Sequence, residues 1–357
     1  MGAKTGIGWT NSTWNVLRGC TRISEGCRFC YAEGVAARSN KPGQPFEGLA
    51  HKVGGEPRWT GELMFVDHLL DQPLRWRAPR KIFVNSVSDL FHEKVAVQWI
   101  DKIVAVMALA DHHTFQVLTK RADRMRDYLN DPETPLRVAS QVNALAVKFN
   151  LKKPRFNPAG VAEGLLKGWR WPLLNVWWGV SVEDQHAADL RLPILRATRG
   201  AAIRWISAEP LIGALDLNRY LLPGNPLTGH FNCGGQYIMD GNIHWVVVGG
   251  ESGISDNVRP MHPAWVRDIL LQCRAYKVPF FFKQWGEYSP DKPAGYCLLT
   301  KKRYSHDSVT FRPDGTRYNA KEPDGWSEPG MTFMYRGGKH NTGNALDGEV
   351  YEEYPGQ

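Results

Sequence analysis

NVWWGVSVED, residues 175–184, stays apolar from Val176 to Val180 and turns acidic at Glu183 and Asp184. A strand with one face in water alternates apolar and polar residues. A run that is apolar throughout, rich in aromatic and β-branched side chains, is covered on both faces, as in a parallel sheet. The same grammar recurs along the chain. KIFVNSVSDLF (81–91) ends in Ser86, Ser88 and Asp89, and TFQVLTKRADRM (114–125) passes into Lys120 and Arg121. AIRWISAEP (202–210) reaches Glu209, HWVVVGGESG (244–253) reaches Glu251, and VPFFFKQWGE (278–287) reaches Lys283 and Gln284. STWNVLRGC (12–20) fits the pattern with Cys20 at its end.

Helix-compatible stretches at 94–111, 186–198 and 263–276 lie between these runs. Strands separated by helices predict an α/β fold, a complete or partial (β/α) TIM-like barrel, with an open doubly wound sheet as the alternative. In a barrel the reactive groups gather at the C-terminal ends of the strands, which is where the polar clusters fall. Residues 1–287 are expected to form this domain. It is interrupted by a basic, helix-compatible insertion at about 130–174 and a Gly/Pro/Asn-rich loop at 217–242. The chain from 288 to 357 has little periodicity and reads as an irregular C-terminal extension.

At 357 residues and 43% hydrophobic, the chain can bury a large core. Forty-four Lys and Arg against 36 Asp and Glu leave it modestly basic, which is compatible with a nucleic-acid partner. Its 14 tryptophans serve either core filling or base stacking. The N-terminus has no apolar segment of the secretory kind, and no run of about 18 apolar residues predicts a membrane span. These features predict a cytoplasmic protein with reduced thiols.

CTRISEGCRFCY (20–31) concentrates three of six cysteines, Cys20, Cys27 and Cys30, in one short stretch. A closed structural zinc site needs four ligands, and neither a second C-x2-C pair nor an H-x3-5-H partner is present. Cys233 or His92 is a candidate fourth ligand. Three cysteines alone suit a [4Fe–4S] cluster with one iron left open. Zinc and unligated thiols are the alternatives.

A cysteine triad after the first strand of a (β/α) barrel resembles the radical S-adenosylmethionine superfamily. Cys27-Arg28-Phe29-Cys30 matches the second half of its C-x3-C-x2-C motif, aromatic included, while the six-residue gap between Cys20 and Cys27 departs from it. More closely, the chain resembles a phage- and bacterium-associated family of radical-SAM-like proteins of unknown function. The motifs that carry this are GWTNSTWNVLRGCTRISEGCRFCYAE, IFVNSVSDLFHEKV, FQVLTKRADRM, NVWWGVSVEDQ, WISAEPLIG, WVVVGGESG, RPMHPAWVRDI and PFFFKQWGE.

The resemblance implies that the triad holds a [4Fe–4S] cluster and that S-adenosylmethionine binds its open iron and is cleaved to a hydrogen-abstracting radical. A reductant such as flavodoxin or ferredoxin would supply the electron. Phe29 would pack near the adenine. Gly249, Gly250 and Glu251 resemble the element that contacts the cofactor's amino group, although here they follow a late strand. Ser86, Ser88 and Asp89 are the positional counterparts. Lys120 or Arg121 would pair with the cofactor's carboxylate and Glu183 with its ribose, while Glu209 and Lys283 line the same mouth. The alternative for these charges is a structural ion-pair network.

PLRWRAPRK (73–81), KKPRF (152–156) and KKR (301–303), with Trp76, Trp169 and Trp171 among or near them, suggest a DNA or RNA groove. Two rivals stay open. One is a zinc-stabilised nucleic-acid-binding protein without turnover, the other a radical enzyme acting on a small molecule or peptide.

Overall fold

The computed structural model describes residues 5–152, 155–223, 230–231, 237–238, 241–253, 257–290, 309–318 and 330–356. Seven parallel strands form the central sheet: β1 (Ser12–Trp14), β2 (Lys81–Val84), β3 (Thr114–Thr119), β4 (Val176–Ser181), β5 (Ile203–Ala208), β6 (Trp245–Gly249) and β7 (Phe280–Gln284). They are hydrogen-bonded in chain order. A doubly wound sheet reverses its strand order at a switch point, and this one has none. Right-handed crossovers in one unbroken direction put every helix on one face and leave the other face to curl on itself.

The crossovers carry helices. Tyr31–Arg38 (α1) follows β1 and Val97–Leu109 (α2) follows β2. Ala122–Asn130 (α3), Thr134–Lys148 (α4) and Pro158–Leu166 (α5) all separate β3 from β4. Gln185–Arg196 (α6) follows β4, and Pro263–Ala275 (α7) joins β6 to β7. The basic insertion is therefore mainly two amphipathic helices, whose Val138, Val142, Leu145, Val161 and Leu165 join the outer core.

The two faces of the sheet build two cores. Ile82, Val84, Val117, Trp178, Ile206, Val246 and Phe282 face the helices. Their neighbours in sequence, Phe83, Trp177, Trp205, Trp245, Val247 and Phe281, form a separate inner cluster around Trp9. The Trp9 ring touches Phe83 of β2 at 4.7 Å and Trp245 of β6 at 6.1 Å between centroids. In a flat sheet four strand spacings would hold those side chains about 19 Å apart. The sheet is therefore strongly curled, with tryptophans plugging its hollow. Gly179 belongs to this plug, because a Cβ there would stand 2.4 Å from the Trp205 indole.

The barrel does not close. The free edge of β7 is taken by the C-terminal segment, where the Phe282 amide donates to the Tyr351 carbonyl at 2.9 Å and Phe281 bridges Glu352 antiparallel. A complete barrel and a doubly wound sheet are both replaced by a seven-stranded partial barrel. The expectation for residues 12–20 also changes. β1 stops at Trp14, and Leu17–Arg18 pairs antiparallel with Met64–Phe65, so Cys20 follows this separate short strand and the Gly19–Ser88 bridge and not β1 itself.

No helix among the described residues is long and apolar enough to cross a membrane. The basic–aromatic segments precede β2 and β4 and so lie at the N-terminal ends of those strands, away from the cysteines. Trp76 and Trp171 pack on the outer core, whereas Trp169 is 42% exposed. Arg155 donates to the Leu74 and Trp76 carbonyls, and Arg170 pairs with Asp111 at 3.2 Å. Residues 153–154 and 301–303 lie outside the described residues, as do Cys233 and Cys297.

Candidate functional site

Cys20, Cys27 and Cys30 are free, half-buried thiols on a loop across the C-terminal ends of the strands. Burial and then Asp89 push the Cys20 thiol up, with smaller contributions from Cys30 and Cys27, and Cys30 is pushed up to about 11, chiefly by burial. Without a bound cation, then, Cys20 and Cys30 stay protonated at neutral pH. The Ser24 hydroxyl lies 3.7 Å from the Cys27 sulfur.

Three strand ends hold this loop. The first is the end of β3. Asp89 accepts from the Phe91 amide at 2.9 Å, the Thr119 hydroxyl at 2.6 Å, the Lys120 amide at 3.2 Å and Arg121 Nη1 at 3.0 Å. Arg121, its side chain only 4% exposed, also donates to Glu93 at 2.7 Å and to the Thr21 hydroxyl at 2.8 Å. Thr21 adjoins Cys20, so the Asp89–Arg121 pair anchors one end of the triad. His92 Nδ1 accepts the Lys94 amide, and Nε2 meets the Thr21 hydroxyl at 2.9 Å. With both ring nitrogens engaged, His92 is not placed as a fourth ligand.

The second support is β4. Glu183 is buried, and its Oε2 accepts from Lys120 Nζ and Arg191 Nη1, each at 2.8 Å. Its other oxygen has no hydrogen-bond partner among the described residues. A Cβ on Gly26 would lie 2.9 Å from the Glu183 carboxyl carbon, so the loop backbone rests directly on this side chain. Burial alone would raise the Glu183 pKa, but Lys120 and Arg191, helped by Ser24, outweigh it and bring it from the ordinary 4.5 to about 2. A depressed carboxylate contributes stability that is complete above its unfolded pKa and is lost as pH falls through its folded one. Glu183→Gln is therefore expected to flatten acid destabilisation between pH 4.5 and 2. An unchanged acid limb in urea melts at several pH values would show that another group titrates there.

The third support is β6. Glu251 accepts the Arg259 amide at 2.8 Å and Nε at 3.0 Å, and pairs with Nη2 as well. Arg259 Nη2 also donates to the Glu25 carbonyl at 2.9 Å, inside the cysteine loop. Phe29 lies between the Arg28 and Arg259 guanidiniums, 5.4 and 5.7 Å from its ring, and against Gly253. From the other side, Arg22 of the loop pairs with buried Glu33 of α1, which also accepts the Trp59 amide at 3.2 Å.

The remaining strand-end residues also have internal contacts. Ser88 donates to the Leu17 carbonyl at 2.9 Å and Ser86 to Asn15 at 3.1 Å. Lys283 donates to Glu209 at 2.7 Å, and Ser207 to the other Glu209 oxygen at 3.1 Å. The two glycines before Glu251 have packing reasons. A Cβ on Gly249 would meet the Glu209 carboxylate at 2.4 Å, and one on Gly250 the Trp285 carbonyl at 1.9 Å. Arg259, Arg191, Thr21 and Arg22 were not singled out from the sequence. RPMHPAWVRDI contains Arg259, but nothing local reveals that it reaches back to residue 25.

Where the barrel fails to close, a cavity of about 660 Å³ opens between β1 and β7. Thr13, Tyr31, Ser86, Lys283, Lys339 and His340 are on its walls. Tyr31 immediately follows Cys30, so the cysteine loop reaches this cavity through Tyr31.

Among the described residues, no group of three or more His, Cys, Asp and Glu side chains stands in an arrangement that could hold a metal ion. The fit to an iron–sulfur cluster is therefore one of donor set and location: three free sulfurs on one supported loop beside a cavity.

A partial parallel (β/α) barrel with a triple-cysteine loop at its C-terminal mouth is the class that fold and site define. The chain belongs to the family described as "Protein of unknown function (DUF5131)", which matches residues 4–355 and so spans the insertion and the C-terminal region as well. No curated protein matches. Among solved structures, a point mutant of spore photoproduct lyase is similar at 10% identity and a TM-score of 0.34, covering 92% of this chain and 68% of its own. At that score the likeness assigns neither fold nor chemistry.

Proposed function

We propose that this protein is a radical S-adenosylmethionine enzyme whose [4Fe–4S] cluster is held by Cys20, Cys27 and Cys30. The observation that supports the reading most is the placement of three free thiols on one loop over the C-terminal mouth of a parallel partial barrel, beside a large cavity. Cys20, Cys27 and Cys30 would hold the cluster, which would supply one-electron reduction of S-adenosylmethionine with an electron from a reductant such as flavodoxin or ferredoxin.

The chain's own part is to hold the loop. Arg121 fixes Thr21, Glu183 carries Gly26, and Arg259 ties Glu25 to Glu251. These charges are positioning residues first. Glu183 Oε1 is a buried side-chain oxygen without a hydrogen-bond partner among the described residues, and it is the acceptor we assign to a ribose hydroxyl. The chain's basic excess, 44 Lys and Arg against 36 Asp and Glu, supports a nucleic acid or nucleotide as the substrate.

Metal analysis of anaerobically purified protein tests the reading. Iron with acid-labile sulfide, lost in Cys27→Ala, is expected. Stoichiometric zinc without sulfide would favour a binding module with a structural metal.

A further inference from the structure

The cavity beside Tyr31 has a lining that chooses its ligand. Lys283 reaches it from β7, and Lys339 and His340 from the C-terminal segment. No carboxylate is among the described residues that line it. Glu209 stays out of the lining but pairs with Lys283 at 2.7 Å, and burial and then Lys283 lower the Lys339 pKa against smaller opposite pulls from Glu209 and Glu287. Val35, Val87 and the ring of Tyr31, which is 52% exposed, add apolar lining. A space of about 660 Å³ is in the range of small-molecule sites. It therefore brings cationic side chains and an aromatic and aliphatic surface to one space.

We propose that this cavity binds a nucleotide, with its phosphate at Lys283 and Lys339 and its base against Tyr31. A phosphate monoester carries nearly two negative charges at neutral pH, matching two ammonium groups better than a single carboxylate would. An aromatic ring accepts any base by stacking, so the pocket selects for phosphate more than for base identity. The inference deepens the function proposed above by naming the group held beside the cysteine loop. Its test does not depend on the cluster.

Adenosine 5′-monophosphate and adenosine are titrated into the full-length protein by calorimetry at low salt, with and without iron loaded. The monophosphate is expected to bind at least tenfold more tightly than the nucleoside, to weaken as salt is raised, and to lose at least tenfold in Lys339→Met. Lys339 is exposed, so that variant should fold; Lys283→Met, which also frees Glu209, is the second. A 5′-phosphorylated dinucleotide that binds as tightly as the monophosphate identifies a strand terminus as the ligand, and one that does not identifies a free nucleotide. Equal binding of adenosine and its monophosphate overturns the inference, as does an unchanged Lys339→Met. Competitive displacement by S-adenosylmethionine would make the cavity the cofactor's own and overturn it too. Monophosphate binding by a protein that never retains iron would sink the cluster alone.

Discussion

Asp89→Ala is expected to destabilise the protein by about 3–5 kcal/mol, because it strands a buried guanidinium. Asp89 accepts four hydrogen bonds, from two backbone amides, one hydroxyl and Arg121. Glu93, the other carboxylate on Arg121, is 63% exposed and cannot replace it at full strength. At about 1.3 °C per kcal/mol for a chain of this length, the loss reads as a fall in Tm of roughly five degrees. Arg121 also fixes Thr21, so the variant should retain less metal even well below its Tm. Asp89→Asn keeps two acceptor lone pairs without the charge and should fall between the two. A Tm within about 2 °C of the parent would show that the clamp is not structural.

The second large effect is at Gly250. A Cβ there would stand 1.9 Å from the Trp285 carbonyl oxygen, a backbone atom held at the end of β7. Overpacking against backbone cannot be relieved by turning a side chain, so Gly250→Ala is expected to cost about 3 kcal/mol, the upper end for such changes. This separates two reasons for the same pair of glycines. If Gly250 serves chain packing, denaturant melts shift and residual activity follows the folded fraction. If it is a glycine only so that a cofactor can approach, stability is unchanged while activity is lost.

The strand grammar was readable because buried parallel strands declare themselves by unbroken apolar runs, and six of the seven ends fall at or just before the expected polar residue. β1 escaped it. Its continuation through Val16, Leu17 and Arg18 reads as one strand with it, and only the partner Met64–Phe65, more than forty residues on, turns it into a separate antiparallel pair. The barrel's openness was also illegible, since the C-terminal segment that occupies the β7 edge has no strand periodicity. Composition alone cannot separate Trp205, whose indole hydrogen-bonds the Val117 and Trp177 carbonyls inside the curl, from a stacking platform. At the site, residue types at strand ends were visible but their pairing was not. Glu183 with Lys120 and Arg191, Asp89 with Arg121, and Glu251 with Arg259 are choices made by topology. The alternative of an ion-pair network is what these residues form, and it underlies the cysteine loop.

The central claim is that this supported loop carries a cluster that meets S-adenosylmethionine. Low-temperature EPR of the anaerobically reconstituted, dithionite-reduced protein, with and without the cofactor, tests it most directly. A [4Fe–4S]⁺ signal that changes on addition of S-adenosylmethionine and is absent in Cys27→Ala is expected. A colourless, zinc-loaded, EPR-silent protein under the same treatment would contradict it.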